Sequence, residues 1–139
     1  MDLIEEYEKT NHFGRALGMK LSVINPGHIF YDLKITNEHL AIPGVGHGGV
    51  VAALIDGALG VAGLSLAAEE NKVVSTVEFK VNYLRPALLN DEVKCEAKVI
   101  HEGKRLMHIE ARVTNQNKLL IATSAGTFNK YPAEKTGLI

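Results

Sequence analysis

Apolar and polar residues alternate along most of this chain, and the phase of that alternation predicts six strands. In His28–Thr36 the odd positions Ile29, Tyr31, Leu33 and Ile35 are apolar, so they face one side of a pleat while Phe30, Asp32, Lys34 and Thr36 face the other. Met19–Ile24 precedes it across Asn25-Pro26-Gly27, a turn tripeptide. Val73–Leu84 shows the clearest alternation: Val73, Ser75, Val77, Phe79, Val81 and Tyr83 are expected inward, with Thr76, Glu78, Lys80 and Asn82 on the polar face. Pro86 ends it. Glu92–His101 (Val93, Cys95, Ala97 and Val99 inward) and Arg105–Thr114 (Met107, Ile109, Ala111 and Val113 inward) repeat the pattern across a turn at His101-Glu102-Gly103-Lys104. Leu119–Phe128 is apolar in both phases, as expected of a strand covered on both faces. The tail from Asn129 is expected to be loose.

One stretch breaks the alternation. Val50 to Ala68 is nineteen residues whose only polar side chains are Asp56 and Ser65. As a helix it is roughly 28 Å long, and a helix apolar all round must be buried all round. Its length meets the criterion for a membrane span. Against that stand Asp56 near the middle, glycines at 49, 57, 60 and 63, and flanks without Lys/Arg asymmetry or aromatic anchors. A helix packed closely by a sheet accounts better for the small residues. Residues 2–17 are amphipathic enough for one or two short helices, with Leu3, Ile4, Tyr7, Phe13 and Leu17 as candidate buried positions. Asn37–Gly46, with Pro43, Gly44 and Gly46, reads as a loop that delivers the chain to the long helix. The expected fold is α+β: an antiparallel sheet of about six strands wrapped around one long central helix, as a single domain over residues 1–139.

Composition narrows the chemistry. A net charge of −1 without a basic block suggests neither nucleic acid nor an anionic membrane as partner. The one cysteine, Cys95, has no internal disulfide partner, which fits a reducing compartment such as the cytoplasm. MDLIEEYEKT lacks the basic and apolar regions of a signal peptide. Six histidines (12, 28, 39, 47, 101 and 108) show no HxxxH or HxH spacing and no paired cysteines, so neither a metal site nor a bound cofactor is expected. Ser65, Ser75 and Ser124 lack a nucleophile-elbow motif, and Cys95 lies on an inward strand face.

Two features remain. His47-Gly48-Gly49 opens the long helix, where the first backbone N–H groups have no intrahelical partner and sit at the positive end. Such a terminus can polarise a carbonyl and hold an oxyanion during acyl transfer; a tight turn packed on a strand is the plainer alternative. Asp56 lies in apolar surroundings, where desolvation sharpens a carboxylate as a general base; an internal cap or ion pair is its plainer alternative. His47 and Asp56 are nine helical steps apart, about 900° of rotation and roughly 13 Å of rise. That argues against a dyad within one helix.

The segment HGGVVAALID, followed about twenty residues on by STVEFKVNYLRPA, resembles the hotdog-fold thioesterases, in particular the phenylacetate-pathway-type acyl-CoA thioesterases. The resemblance spans about residues 12–129. It implies an acyl-CoA thioester hydrolase with the long helix inside a curled sheet. Gly48 would supply the N–H that polarises the thioester carbonyl at the helix N-terminus, with His47 of the same HGG motif counted among the catalytic residues. Asp56 would act as general base or as nucleophile, and Thr76 would help to hold the water. Thr76, on the polar face of its strand, is expected to meet Asp56 only across a subunit interface, as family members build their sites between chains of a homodimer or homotetramer. Gly49, Asn82, Tyr83, Arg85 and Pro86 would then lie along the coenzyme A, with Arg85 as phosphate contact and Lys80, Lys104 and Arg105 as weaker candidates. One departure stands out: family members often carry Asn or Gln six residues before the histidine, where this chain has Ala41. Ala41 is the feature that favours a non-catalytic acyl-CoA-binding or sensing domain. A hydratase or dehydratase on the same fold would want a His–acid pair, which the helical phase disfavours.

Overall fold

In the computed structural model, which describes residues 2–138, the chain starts with two short helices, α1 (Leu3–Thr10) and α2 (His12–Leu17). Asp2 caps α1 by accepting from the N–H groups of Ile4 and Glu5 at 2.9 and 3.3 Å. Gly18 ends α2 at a φ of 87°, a left-handed conformation that glycine adopts without strain. Strands β1 (Lys20–Asn25) and β2 (His28–Lys34) form a hairpin. The expected loop folds into a small hairpin of its own, β3 (Leu40–Ile42) and β4 (Val45–Gly46), before the long helix α3 (Gly48–Ala67). Then come β5 (Lys72–Tyr83), β6 (Glu92–Glu102), β7 (Leu106–Thr114) and β8 (Leu120–Pro132). Six strands form one sheet in the order β1-β2-β6-β7-β8-β5, antiparallel at every pairing.

The inward residues of that sheet bury α3. Leu54, Ile55, Ala58, Leu59, Val61 and Ala62 pack on Ile29, Tyr31, Cys95, Ala97, Ile109, Val113 and Phe128. Each buried side chain of Leu or Ile size contributes about 1.5–3 kcal/mol through removal from water, and the alternation in β2, β6 and β7 is what delivers them to one face. A long helix enclosed by one antiparallel sheet is the hotdog architecture. The helix with its short extension, Gly48–Glu70, is long and apolar enough to cross a membrane, yet most of it is buried by the protein's own sheet.

Four expectations are corrected. The helix is not buried all round, because the sheet curls past only part of its circumference; Ala52, Ala53, Asp56, Gly57 and Gly60 form a half-buried strip. The segment from Asn129 is not loose: Asn129–Pro132 extend β8 along Lys72–Ser75, and Ala133 buries against Leu3, Leu64 and Val73. β8 is fully covered on its inner face but only partly on the other, where Thr123, Ala125 and Thr127 are half-buried. Phe13, expected in the core, is 67% exposed.

Candidate active site

A single extra residue in β5 decides what reaches the helix carboxylate. Thr76 pairs with Phe128 and Glu78 with Thr127, so Val77 bulges out of the ladder and is 57% exposed. Phe128 faces the helix, and Thr76 opposite it does the same. Beyond the bulge the phase changes, so Phe79 and Val81 are the residues that pack inward. The Thr76 hydroxyl thereby donates to Asp56 Oδ1 at 2.7 Å within one chain. This overturns two expectations: that Val77 faces the core, and that Thr76 meets Asp56 only across a subunit interface. Strict alternation had no means of placing the bulge.

The Asp56–Thr76 pair lies on the open strip of α3 and borders a cavity of about 230 Å³. Apolar side chains dominate its walls: Val61, Leu64, Val73, Val74 and Phe128, with Gly57 and Gly60 leaving the helix side bare. Tyr7 of α1 also lines it. Burial first, then the neighbouring Tyr31 hydroxyl and the Asp56 carboxylate, push the Tyr7 phenol far above its ordinary range, so it stays protonated. Tyr31, itself buried, accepts from Asn11 Nδ2 at 3.3 Å. Tyr7 was legible in the sequence as a buried position but not as a neighbour of Asp56, since only the docking of α1 on α3 brings it there.

At the N-terminus of the helix, His47 is the N-cap. Its Nδ1 accepts from the Gly49 N–H at 2.8 Å and its carbonyl from the Val50 N–H at 3.0 Å. A Cβ at Gly49 would fall 2.8 Å from that same Nδ1, which is why glycine stands there. The His47 N–H in turn donates to the carbonyl of buried His39 at 2.7 Å. Among the described residues, no group accepts from the Gly48 N–H. The Tyr83 hydroxyl donates to the Gly48 carbonyl at 2.7 Å and pins the helix start. Gly48, Tyr83, Arg85 and Pro86 border a second pocket of about 320 Å³. Arg85 spends one N–H on the Leu120 carbonyl at 2.9 Å. Asn82 is not in this pocket; it reaches Thr123 Oγ1 at 3.4 Å beside Lys80. Lys104 lies at the far β6–β7 turn near Lys72 and Lys130. Ala41 is exposed in β3.

Gly48 and Asp56 are eight residues apart on α3, about 12 Å along the axis. One chain therefore carries a carboxylate with an apolar cavity at one place and an unpaired N–H at another. Cys95, the lone thiol, is sealed in the core, and burial raises its pKa well above the ordinary range. Among the described residues no three His, Cys, Asp or Glu side chains gather as a metal site would require.

Residues 43–122 match the Thioesterase superfamily, and the chain belongs to that family. Its relatives include human acyl-coenzyme A thioesterase 13, 29% identical over 117 residues that make up 83% of this chain and 81% of that protein. The Escherichia coli PaaI protein from the phenylacetic acid degradation operon superposes with a TM-score of 0.86 at 21% identity, covering 92% of this chain and 90% of its own. A hypothetical thioesterase protein of Streptococcus pneumoniae, solved with coenzyme A, gives a TM-score of 0.75 at 23% identity over 82% of this chain and 86% of that one.

Proposed function

We propose that this protein hydrolyses acyl-CoA thioesters to a carboxylic acid and free coenzyme A, with Asp56 as the catalytic carboxylate. The observation that carries the reading is the Thr76–Asp56 hydrogen bond at the edge of an apolar cavity. Thr76 occupies Oδ1 and fixes the carboxylate rotamer, leaving Oδ2 to take a proton from water. The water oxygen bonds to the thioester carbon, and the tetrahedral oxyanion is held by the Gly48 N–H at the positive helix end. Collapse breaks the C–S bond, and the proton on Asp56 passes to the departing thiolate. In the alternative, Asp56 Oδ2 bonds to the thioester carbon, and the C–S bond breaks to release the thiolate and leave a mixed anhydride. Water then cleaves the anhydride to the acid and the Asp56 carboxylate, its surplus proton going to the thiolate.

Since about 12 Å of helix separates Gly48 from Asp56, the reading requires a second copy of the chain to bring its Gly48 to this Asp56. The surfaces for that pairing are the twelve-residue β5 at the sheet edge, the bulged Val77 and the open strip of α3. An unpaired edge of that length is itself a reason to associate. A homodimer is the smallest assembly that serves, and a homotetramer repeats it. Arg85, Tyr83 and Pro86 beside Gly48 are then placed for the coenzyme A, with the remaining Arg85 donors free for phosphate. The name of the human relative, the family match and the apolar cavity support the substrate class; a reducing, cytoplasmic setting suits the lone buried thiol.

Ala41 favours a second reading, a domain that binds acyl-CoA without turning it over. Thiol release from short, medium, long and arylacetyl-CoA, for wild type beside Asp56→Asn, separates the two. Turnover lost in a folded, oligomeric variant supports hydrolysis. Saturable binding without turnover in the wild type supports the sensing domain and sinks the enzyme.

A further inference from the structure

The cavity beside Asp56 is walled by two kinds of residue. Its sides belong to α3, β5 and β8, but its remaining wall comes from both ends of the chain: Tyr7 of α1, and Thr136 and Leu138 beyond β8. Both terminal segments are built in. Leu3 anchors α1 against Leu64, Val73 and Ala133, and Ile4, Tyr7, Tyr131 and Leu138 pack on that cluster. The Ala133 N–H donates to the Asn71 carbonyl at 3.1 Å. Thr136 donates its hydroxyl to the Ala133 carbonyl at 2.7 Å and accepts from the Leu138 N–H at 3.1 Å, which turns Leu138 back toward the cavity.

We infer that the two chain ends are the ruler for the acyl group: Tyr7 and Leu138 close the acyl cavity and set the longest tail that it accepts. This rests on the acyl-CoA reading above. Beyond the Asp56–Thr76 corner the wall is mostly apolar, its Tyr7 phenol stays protonated, and among the described residues no cationic side chain lines it to pair with an anionic tail. A cavity of roughly 150 Å³ lined by such residues holds one benzene ring, so about 230 Å³ holds on the same ratio an acyl tail of about eight to ten carbons, or one ring with a short linker. Longer tails meet Tyr7 and Leu138. The limit thus lies outside the sheet-and-helix core, in segments that make no hydrogen bond to the Asp56–Thr76 pair among the described residues.

The test compares kcat/KM over acyl-CoAs of two to sixteen carbons for wild type, Tyr7→Ala, Tyr7→Phe and Leu138→Ala. In parallel, calorimetry measures affinity for non-hydrolysable thioether analogues of the same lengths. Wild type is expected to peak at medium length and fall at least tenfold by sixteen carbons. Tyr7→Ala and Leu138→Ala should each raise the long-to-medium ratio about tenfold through KM, while Tyr7→Phe keeps the wild-type cut-off. A wild type that hydrolyses or binds with no length limit overturns the inference, and so does a limit unmoved in both alanine variants. If no acyl-CoA is turned over, the parent reading fails, and the calorimetric cut-off still decides the ruler. Should Tyr7→Ala unfold α1, Leu138→Ala at the chain end carries the comparison.

Discussion

The two ends of the working stretch of α3 solve opposite problems. Around Asp56 the sequence supplies a carboxylate, a hydroxyl to orient it and an apolar cavity, but nothing positively polarised. Around Gly48 it supplies an unpaired N–H at a helix terminus, an arginine and a tyrosine brace, but no carboxylate. Each half has what the other lacks, and rigid helix holds them apart. The difference teaches why the proposed chemistry calls for a second copy of the chain: about 12 Å of helix keeps the two groups of one chain apart.

Asp56→Asn should have the largest effect: about a thousandfold loss of kcat for removal of a general base, with acyl-CoA affinity retained in calorimetry. Next comes Gly48→Pro. Proline suits the first helical position and deletes its N–H, its Cβ meeting the Tyr83 ring at 3.4 Å in ordinary contact, while His47 already has the extended backbone that must precede it, at φ −65° and ψ 133°. A loss of about a hundredfold in kcat is expected. These two variants together break or sharpen the comparison. Unfolded and refolded as a mixture, they should recover about a quarter of wild-type activity, because about half the dimers are mixed and each holds one intact site. Recovery of nothing would mean that both groups act within one chain. Thr76→Val should cost about tenfold in kcat through loss of a hydrogen bond to a charged group, and Thr76→Ser should restore most of it. Tyr83→Phe is the smallest: about 0.5 kcal/mol of stability in a denaturant titration, with a few-fold change in KM rather than kcat.

Much of this was legible in advance, and the misses share a cause. The core faces of β2, β6 and β7 follow directly from period-two alternation, and Asp56 stands out because nothing polar surrounds it for several residues. Thr76 was assigned the wrong face because a bulge is a matter of length, and composition does not mark which residue is the extra one. The last strand was cut short at Asn129 because Asn129 and Lys130 look like a solvated end. Yet Lys130 is buried, its ammonium 3.3 Å from Glu102 and 3.8 Å from Glu70. Only the resemblance told Gly48 from Gly49; the physical difference, a His47 ring that takes the Gly49 N–H, needed the local geometry. Tyr7 and Leu138 needed the tertiary packing of both chain ends, which no local pattern contains.

The sealed position of Cys95 has a practical consequence for all of these measurements. A coloured disulfide reagent added to the native protein should find no protein thiol to react with, so colour in an assay reports released coenzyme A alone. The same reagent turns into a gauge of integrity once the core opens, because each unfolded chain then yields one equivalent. A variant that loses turnover and stays silent has lost chemistry; one that develops colour without substrate has lost its fold.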